Sequence, residues 1–193
     1  MRRLVNNIFS VCFTFVRLCI YKLIHRGRLQ FFLIERISPN VVLEFNIGSN
    51  IFLGKKVRIH SGCKIKTRKK STLKIGDNVK INYNCIIACH DSITIGNGTE
   101  FGPAVYLYDH DHDYRIGLGK GNYKTSPIII GDRCWIGANT VILRGTILGE
   151  GCVVGAGCVV SGEYPPGSRI VQKRITDVDC IDYSMKDELG EIR

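Results

Sequence analysis

No Asp or Glu precedes Glu35, proline occurs only five times in 193 residues, tryptophan only once, and no two of the nine cysteines stand in C-x-x-C spacing. Each shortage argues against something. Without paired thiols at that spacing, a zinc knuckle has no ligand set, and the cysteines read as reduced thiols of a cytoplasmic protein. The apolar run over 4–24 is broken by Arg17 and Lys22, which argues against a membrane-spanning helix. No small-residue cleavage site follows it, so a secretory leader is not expected. No aromatic motif interleaves the basic stretch 64–70, which removes the usual sign of nucleic-acid binding; that stretch reads as a solvated corner excursion.

What the chain does have is a period of six. From Ile47 to Pro165 a branched aliphatic returns, often followed by Gly, then turn-friendly residues, then a small residue. Hexads open at Ile47, Leu53 and Ile59, then at Ile75, Ile81 and Ile87, and after a two-residue slip at Ile95, Phe101 and Leu107. A longer gap precedes Ile130, Ile136, Ile142, Leu148 and Val154. Each hexad suits one short strand and a corner, and three make one turn of a parallel β-solenoid. The aliphatic residue points inward, the residue four later fills a tight corner, and Gly or Asn supplies positive φ. A helix is excluded over the repeat, since Gly at every sixth position costs about 1 kcal/mol each there. Cys63, Cys85, Cys134, Cys152 and Cys158 all fall at the small inward position, where Cys is a compact apolar filler. At 45% hydrophobic residues there is material for one core.

Charge divides unevenly: residues 1–80 balance to +14, residues 81–193 to −4, and the whole chain to +10. A basic half suggests an anionic surface or a phosphorylated ligand nearby. The apolar, acid-free N-terminal segment allows two readings: an amphipathic helix on the inner membrane surface, or a helix packed on the solenoid. The expected organisation is a helical segment over 1–40, the solenoid over 41–165, and an acid-rich tail or short helix over 166–193.

The coil is interrupted between Asp109 and Pro127. The Gly-rich segment near 113–126 is expected to project as a loop, and loops leaving a rigid scaffold gather functional groups. Two histidines, His110 and His112, stand at its root. Imidazole titrates near neutrality, which suits a general base.

The chain resembles the hexapeptide-repeat acyltransferases, left-handed parallel β-helix enzymes that include the galactoside and maltose O-acetyltransferases and those of capsule, lipopolysaccharide and exopolysaccharide assembly. The resemblance rests on Ile81-Asn82-Tyr83, on His112-Asp113-Tyr114, on the block opening at Cys134-Trp135-Ile136-Gly137, and on Val154-Gly155-Ala156-Gly157. It implies an all-β, left-handed β-helix and transfer of an acetyl group from acetyl-CoA, with no metal, to a sugar hydroxyl. His112, by its separation from Asn82, is selected ahead of His110 as the catalytic base. Asn82, Tyr83, Asp109 and Trp135 are implied at the acceptor. Trp135, Gly137, Ala138, Ala156 and Ser161 are implied along the coenzyme, with Arg169, Lys173 or Arg174 on its phosphates. A homotrimer is also implied, working on a small or lipid-linked sugar, peripheral to the membrane at most. Two alternatives stay open: N-acetylation of a nucleotide-linked amino sugar, and a metal solenoid like the γ-type carbonic anhydrases, whose three-His site the close spacing of His110 and His112 does not suit.

Overall fold

The computed structural model describes residues 2–26, 28–32, 35–115 and 121–173. Among these, the chain coils into a three-sided prism whose faces are parallel sheets of seven, seven and six strands. A typical turn runs from Thr72–Ile75 on the first face to Lys80–Ile81 on the second and Ile86–Cys89 on the third. Successive turns stack in register, for example Leu73 on Ile93 on Ile128. The inward positions make one continuous column of Leu, Ile and Val, almost all under 5% exposed. Parallel pairing fits this burial, because every strand between the two end coils has a neighbour above and below to take its N–H and C=O groups.

The five cysteines assigned to inward corners are buried, as is Cys89. Asn78, Asn84 and Asn139 hold positive φ at corners as the repeat requires, but so do Lys56, Lys70, Ala104 and Arg133. Those four lack the local hydrogen bonding that eases Asn there, at roughly 1–2 kcal/mol of strain each.

Three sequence expectations need revision, and one observation gains its cause. Ile47 is 64% exposed, while Phe45 and Ile51 turn inward, so the first hexad begins out of phase. The two-residue slip arises because first-face strands such as Ser92–Ile95 are four residues long and bury two aliphatics, Ile93 and Ile95. Lys64–Thr67 is a regular third-face strand with only Lys64 and Lys66 outward. The coil also runs further than 41–165: Leu29–Gln30 and Arg36–Ile37 open it, and Glu163–Tyr164 and Arg169–Ile170 continue it. Beyond residue 173 the expected tail, with Arg174 and Cys180, lies outside the described residues.

The N-terminal helix α1 (Arg2–Ile24) contains neither Gly nor Pro and closes the open end of the prism. Leu18 enters the core, and side chains from the same face satisfy the first coil's free edge. The Thr14 hydroxyl accepts the Ile37 N–H at 3.0 Å, Arg17 donates to the Val41 carbonyl at 2.8 Å, and Tyr21 donates to the Leu43 carbonyl at 2.9 Å. The opposite face of α1 stays bare: Phe9, Val16, Ile20 and Leu23 are 63, 58, 53 and 80% exposed. No helix is long and apolar enough to cross a membrane among the described residues.

Candidate active site

The gap after Leu107 is a β-hairpin rather than an open loop, in the parts described. His110–His112 pairs antiparallel with Tyr123–Thr125, setting His112 opposite Tyr123; residues 116–120 lie outside the described residues.

Side chains alternate along the third-face strand, so the residue two past the buried aliphatic also faces inward. That position is occupied by Phe45, Thr67, Cys89 and Asp109 on successive turns. An acid in such a column has no water to solvate it. Asp109 is wholly buried, and backbone donors take over: the His90 N–H at 2.8 and 3.0 Å and the Asp91 N–H at 2.8 Å. The same Oδ1 that meets the His90 N–H is 3.1 Å from His110 Nδ1. Burial, together with the neighbouring Asp109 carboxylate, pushes the Cys89 thiol up to about 12, so Cys89 is an inert filler.

One residue further, the outward position stacks Arg68, His90 and His110. Arg68 Nε donates to His90 Nε2 at 3.3 Å, which leaves the proton of a neutral His90 on Nδ1. The His90 and His110 rings lie parallel with centroids 3.3 Å apart. Burial first, then the His110 and Arg68 charges, push the His90 pKa down to about 4. Tyr123 reaches over from the hairpin and touches all three imidazoles, with centroids 4.8 Å from His90, 5.5 Å from His110 and 4.7 Å from His112. Beside them opens a cleft of about 730 Å³ lined by Arg68, His90, Gly121, Tyr123 and Thr125. His110 is partly covered, whereas His112 is exposed. Arg144 holds Asp111 at 2.7 Å and Lys124 holds Asp113 at 3.1 Å, bracing the hairpin root.

Asp109, expected at the acceptor, is closed to solvent, and its oxygens are engaged by the His90 and Asp91 N–H groups and by His110 Nδ1. The sequence reading overlooked Arg68, His90 and Tyr123. A signal for the first two existed, since counting three past Ile65, Ile87 and Leu107 puts Arg68, His90 and His110 in one outward file.

The remaining expected residues gather elsewhere. Asn82 and Tyr83 form the corner between second and third faces, where Asn82 Oδ1 accepts the Tyr83 N–H at 2.9 Å and the Tyr83 ring lies 4.7 Å from His60. Ala138 and Ala156 follow on the same corner. A Cβ on Gly102 would meet Ala138 N at 2.7 Å, and one on Gly137 would meet Ala156 N at 2.5 Å, so glycine is what lets these corners stack. Neither alanine N–H has a partner among the described residues. Trp135 is 58% exposed on the second face, and Ser161, Arg169 and Lys173 are exposed near the far end. In one chain this corner and the histidine corner stand at opposite edges of the third face, separated by strands of up to four residues, about 13 Å of extended chain. No cluster of three or more metal-ligating side chains occurs among the described residues.

The family model described as "Hexapeptide repeat of succinyl-transferase" matches residues 127–161. Nodulation protein L of Rhizobium meliloti (strain 1021) is 42% identical over 104 residues, 51% of this chain and 55% of that protein. The Escherichia coli (strain K12) protein named "Putative lipopolysaccharide biosynthesis O-acetyl transferase WbbJ" is 32% identical over 111 residues, 52% and 54% of the two chains. The chain thus spans about half the length of these curated relatives. Among solved structures, AntD, an N-acyltransferase from Bacillus cereus in complex with dTDP and 3-hydroxybutyryl-CoA, superposes with a TM-score of 0.62 at 20% identity over 80% of this chain and 84% of that one. The fold is accordingly the left-handed parallel β-helix. Residues 127–161 thus match the hexapeptide-repeat model, and over about half its length the chain is similar to these curated relatives.

Proposed function

We propose that this protein transfers an acetyl group from acetyl-CoA to a sugar hydroxyl, with an imidazole at the hairpin root as general base. The observation that carries this reading is the buried Asp109 carboxylate 3.1 Å from His110 Nδ1, beside a cleft large enough for a sugar. A carboxylate on Nδ1 holds that proton in place and turns the Nε2 lone pair outward, the arrangement a base needs. The resemblance favours His112; the carboxylate favours His110, because among the described residues no carboxylate is recorded against the His112 ring.

In the reaction the base takes the acceptor's hydroxyl proton as the oxygen bonds to the thioester carbonyl carbon. The tetrahedral oxyanion then collapses, the C–S bond breaks, and the proton passes to the departing thiolate. The unpartnered Ala138 N–H is suited to the oxyanion, and the free amide nitrogen of Asn82 to orienting the hydroxyl. Both lie on the corner remote from the histidines, so on this reading the centre is completed by a neighbouring copy, as in a homotrimer. Trp135, Gly137, Ala156 and Ser161 would line the coenzyme, with Arg169 and Lys173 near its phosphates. The enzyme would work in the cytoplasm, with α1 against the inner membrane surface. O-acetylation is favoured over N-acetylation by the printed name of the WbbJ relative.

Thioester consumption measured against free, nucleotide-linked and lipid-linked sugars, amino sugars included, tests this. Turnover should require a hydroxyl acceptor, and His110→Ala should lower kcat by about 10²–10⁴-fold, with His112→Ala costing less than about tenfold. The reverse order would make His112 the base, transfer to amines alone would make the protein an N-acetyltransferase, and wild-type rates in both variants would remove the reading.

A further inference from the structure

Between α1 and the second face runs a groove of about 500 Å³, on the side of the prism away from the histidine corner. One wall is apolar, made by Ile8, Val11 and Cys12 of α1. The other is cationic, made by Arg36, Lys56, Arg58 and Lys80, with Asn78 between them.

The cationic wall follows from the register. Arg36 pairs with Arg58, and Arg58 with Lys80, directly across adjacent strands. Neighbouring strands lie about 4.8 Å apart, and like charges directly opposite each other destabilise a sheet. The file ends at Glu100, which takes Lys80 at 2.6 Å. Arg36 and Arg58 have no acidic partner among the described residues, and Lys56 has none either. The nearest acid in sequence, Glu35, is 2% exposed and accepts the Phe32 N–H at 2.9 Å, so it faces away from the groove. Lys56 is held at φ 59°, a conformation unfavourable for a lysine. A file of cations neutralised at Lys80 alone, against an apolar wall, is complementary to one kind of ligand: an anionic head joined to a hydrocarbon tail.

We propose that this groove takes the phosphate headgroup of an anionic membrane phospholipid while the bare face of α1 dips into the acyl region. Guanidinium groups of Arg36 and Arg58 offer paired donors to phosphate oxygens. Phe9, Val16, Ile20 and Leu23 provide the inserting surface, Lys22 and Arg26 its basic margin. The proposal deepens the placement of α1 at the inner membrane surface and rests on that placement; it is independent of the acyl-transfer chemistry.

Co-sedimentation with vesicles of phosphatidylcholine alone, and of phosphatidylcholine with phosphatidylglycerol, tests it, alongside thermal unfolding with inorganic pyrophosphate. The wild type should pellet with the anionic vesicles and be released by salt. The double variant Arg36→Gln, Arg58→Gln should lose about 30-fold in partitioning, from about fivefold per cation. Leu23→Ser should weaken binding to both vesicle types. Both variants should keep the wild-type turnover on a free-sugar acceptor; Leu23→Ser should keep the wild-type unfolding temperature, and the double variant, relieved of the Arg36–Arg58 repulsion, should unfold at or above it. Equal pelleting with neutral vesicles, or full anionic binding by the double variant, would overturn the headgroup site and leave the insertion of α1 standing. Failure of the wild type to pellet at all would overturn both. Stabilisation of the wild type, but not the double variant, by pyrophosphate without vesicle binding would overturn the lipid as its source.

Discussion

Two corners of the prism use one device to different ends. Where the first face turns into the second, Asp77 accepts the Lys55 N–H, Asn97 the Asp77 N–H and Asp132 the Asn97 N–H, each at 2.7–2.8 Å, in an exposed ladder that ties turn to turn. Where the third face turns back to the first, Asp109 accepts the N–H groups of the turn below in the same manner, but from a buried position and with His110 on the same oxygen. The ladder is scaffold, because water can replace any of its members. The buried acid is different: nothing replaces it, and two histidines depend on where it sits. Burial, rather than residue type, separates a structural aspartate from one that orients an imidazole.

Replacing each acid should break that comparison open. Asp109→Ala leaves two interior N–H groups without acceptors, at about 1–3 kcal/mol each, so a loss of about 3–5 kcal/mol in urea unfolding is expected. Asp109→Asn retains an acceptor and should fold, yet lower kcat by at least about tenfold through misplacing the His110 proton. Unchanged turnover in that variant would reduce Asp109 to another rung of scaffold.

Acid titration sharpens the contrast next. The folded His90 resists protonation until about pH 4, while the unfolded chain takes up that proton near 6.5. Stability is therefore full above about pH 6.5 and declines as pH falls from there toward 4. His25 and His60, also lowered chiefly by burial, tilt the curve the same way. His90→Gln should flatten part of the slope in unfolding midpoints measured across that range; an unaltered slope would mean His90 is not buried against Arg68 and His110 as described.

The smallest effect belongs to the ladder. Asp132→Ala exposes the Asn97 N–H to water and should cost under about 1 kcal/mol with no change in turnover. A larger loss of activity there would erase the distinction between the two corners.

A period of six with aliphatics and small residues in phase was enough to read the prism from the chain, along with its inward cysteines and the break at Asp109. It could be read because the pattern is local: each hexad specifies its own strand and corner. Ile47 shows the limit, since one hexad at the start of the coil cannot reveal its phase until a neighbour stacks on it. Likewise the two readings of the N-terminal segment differ only in what lies opposite each face of α1, and the structure packs one face against the first coil and leaves the other bare.

Arg68, His90 and His110 stand about twenty residues apart in the chain, on turns of unequal length. Only stacking brings them into one file above Asp109, and only the hairpin returns Tyr123 across them. Composition and periodicity determined the scaffold because short-range sterics and burial dictate it. Tertiary structure decided the site, because a charge in a dry column acquires its role from the donors that three-dimensional packing places around it.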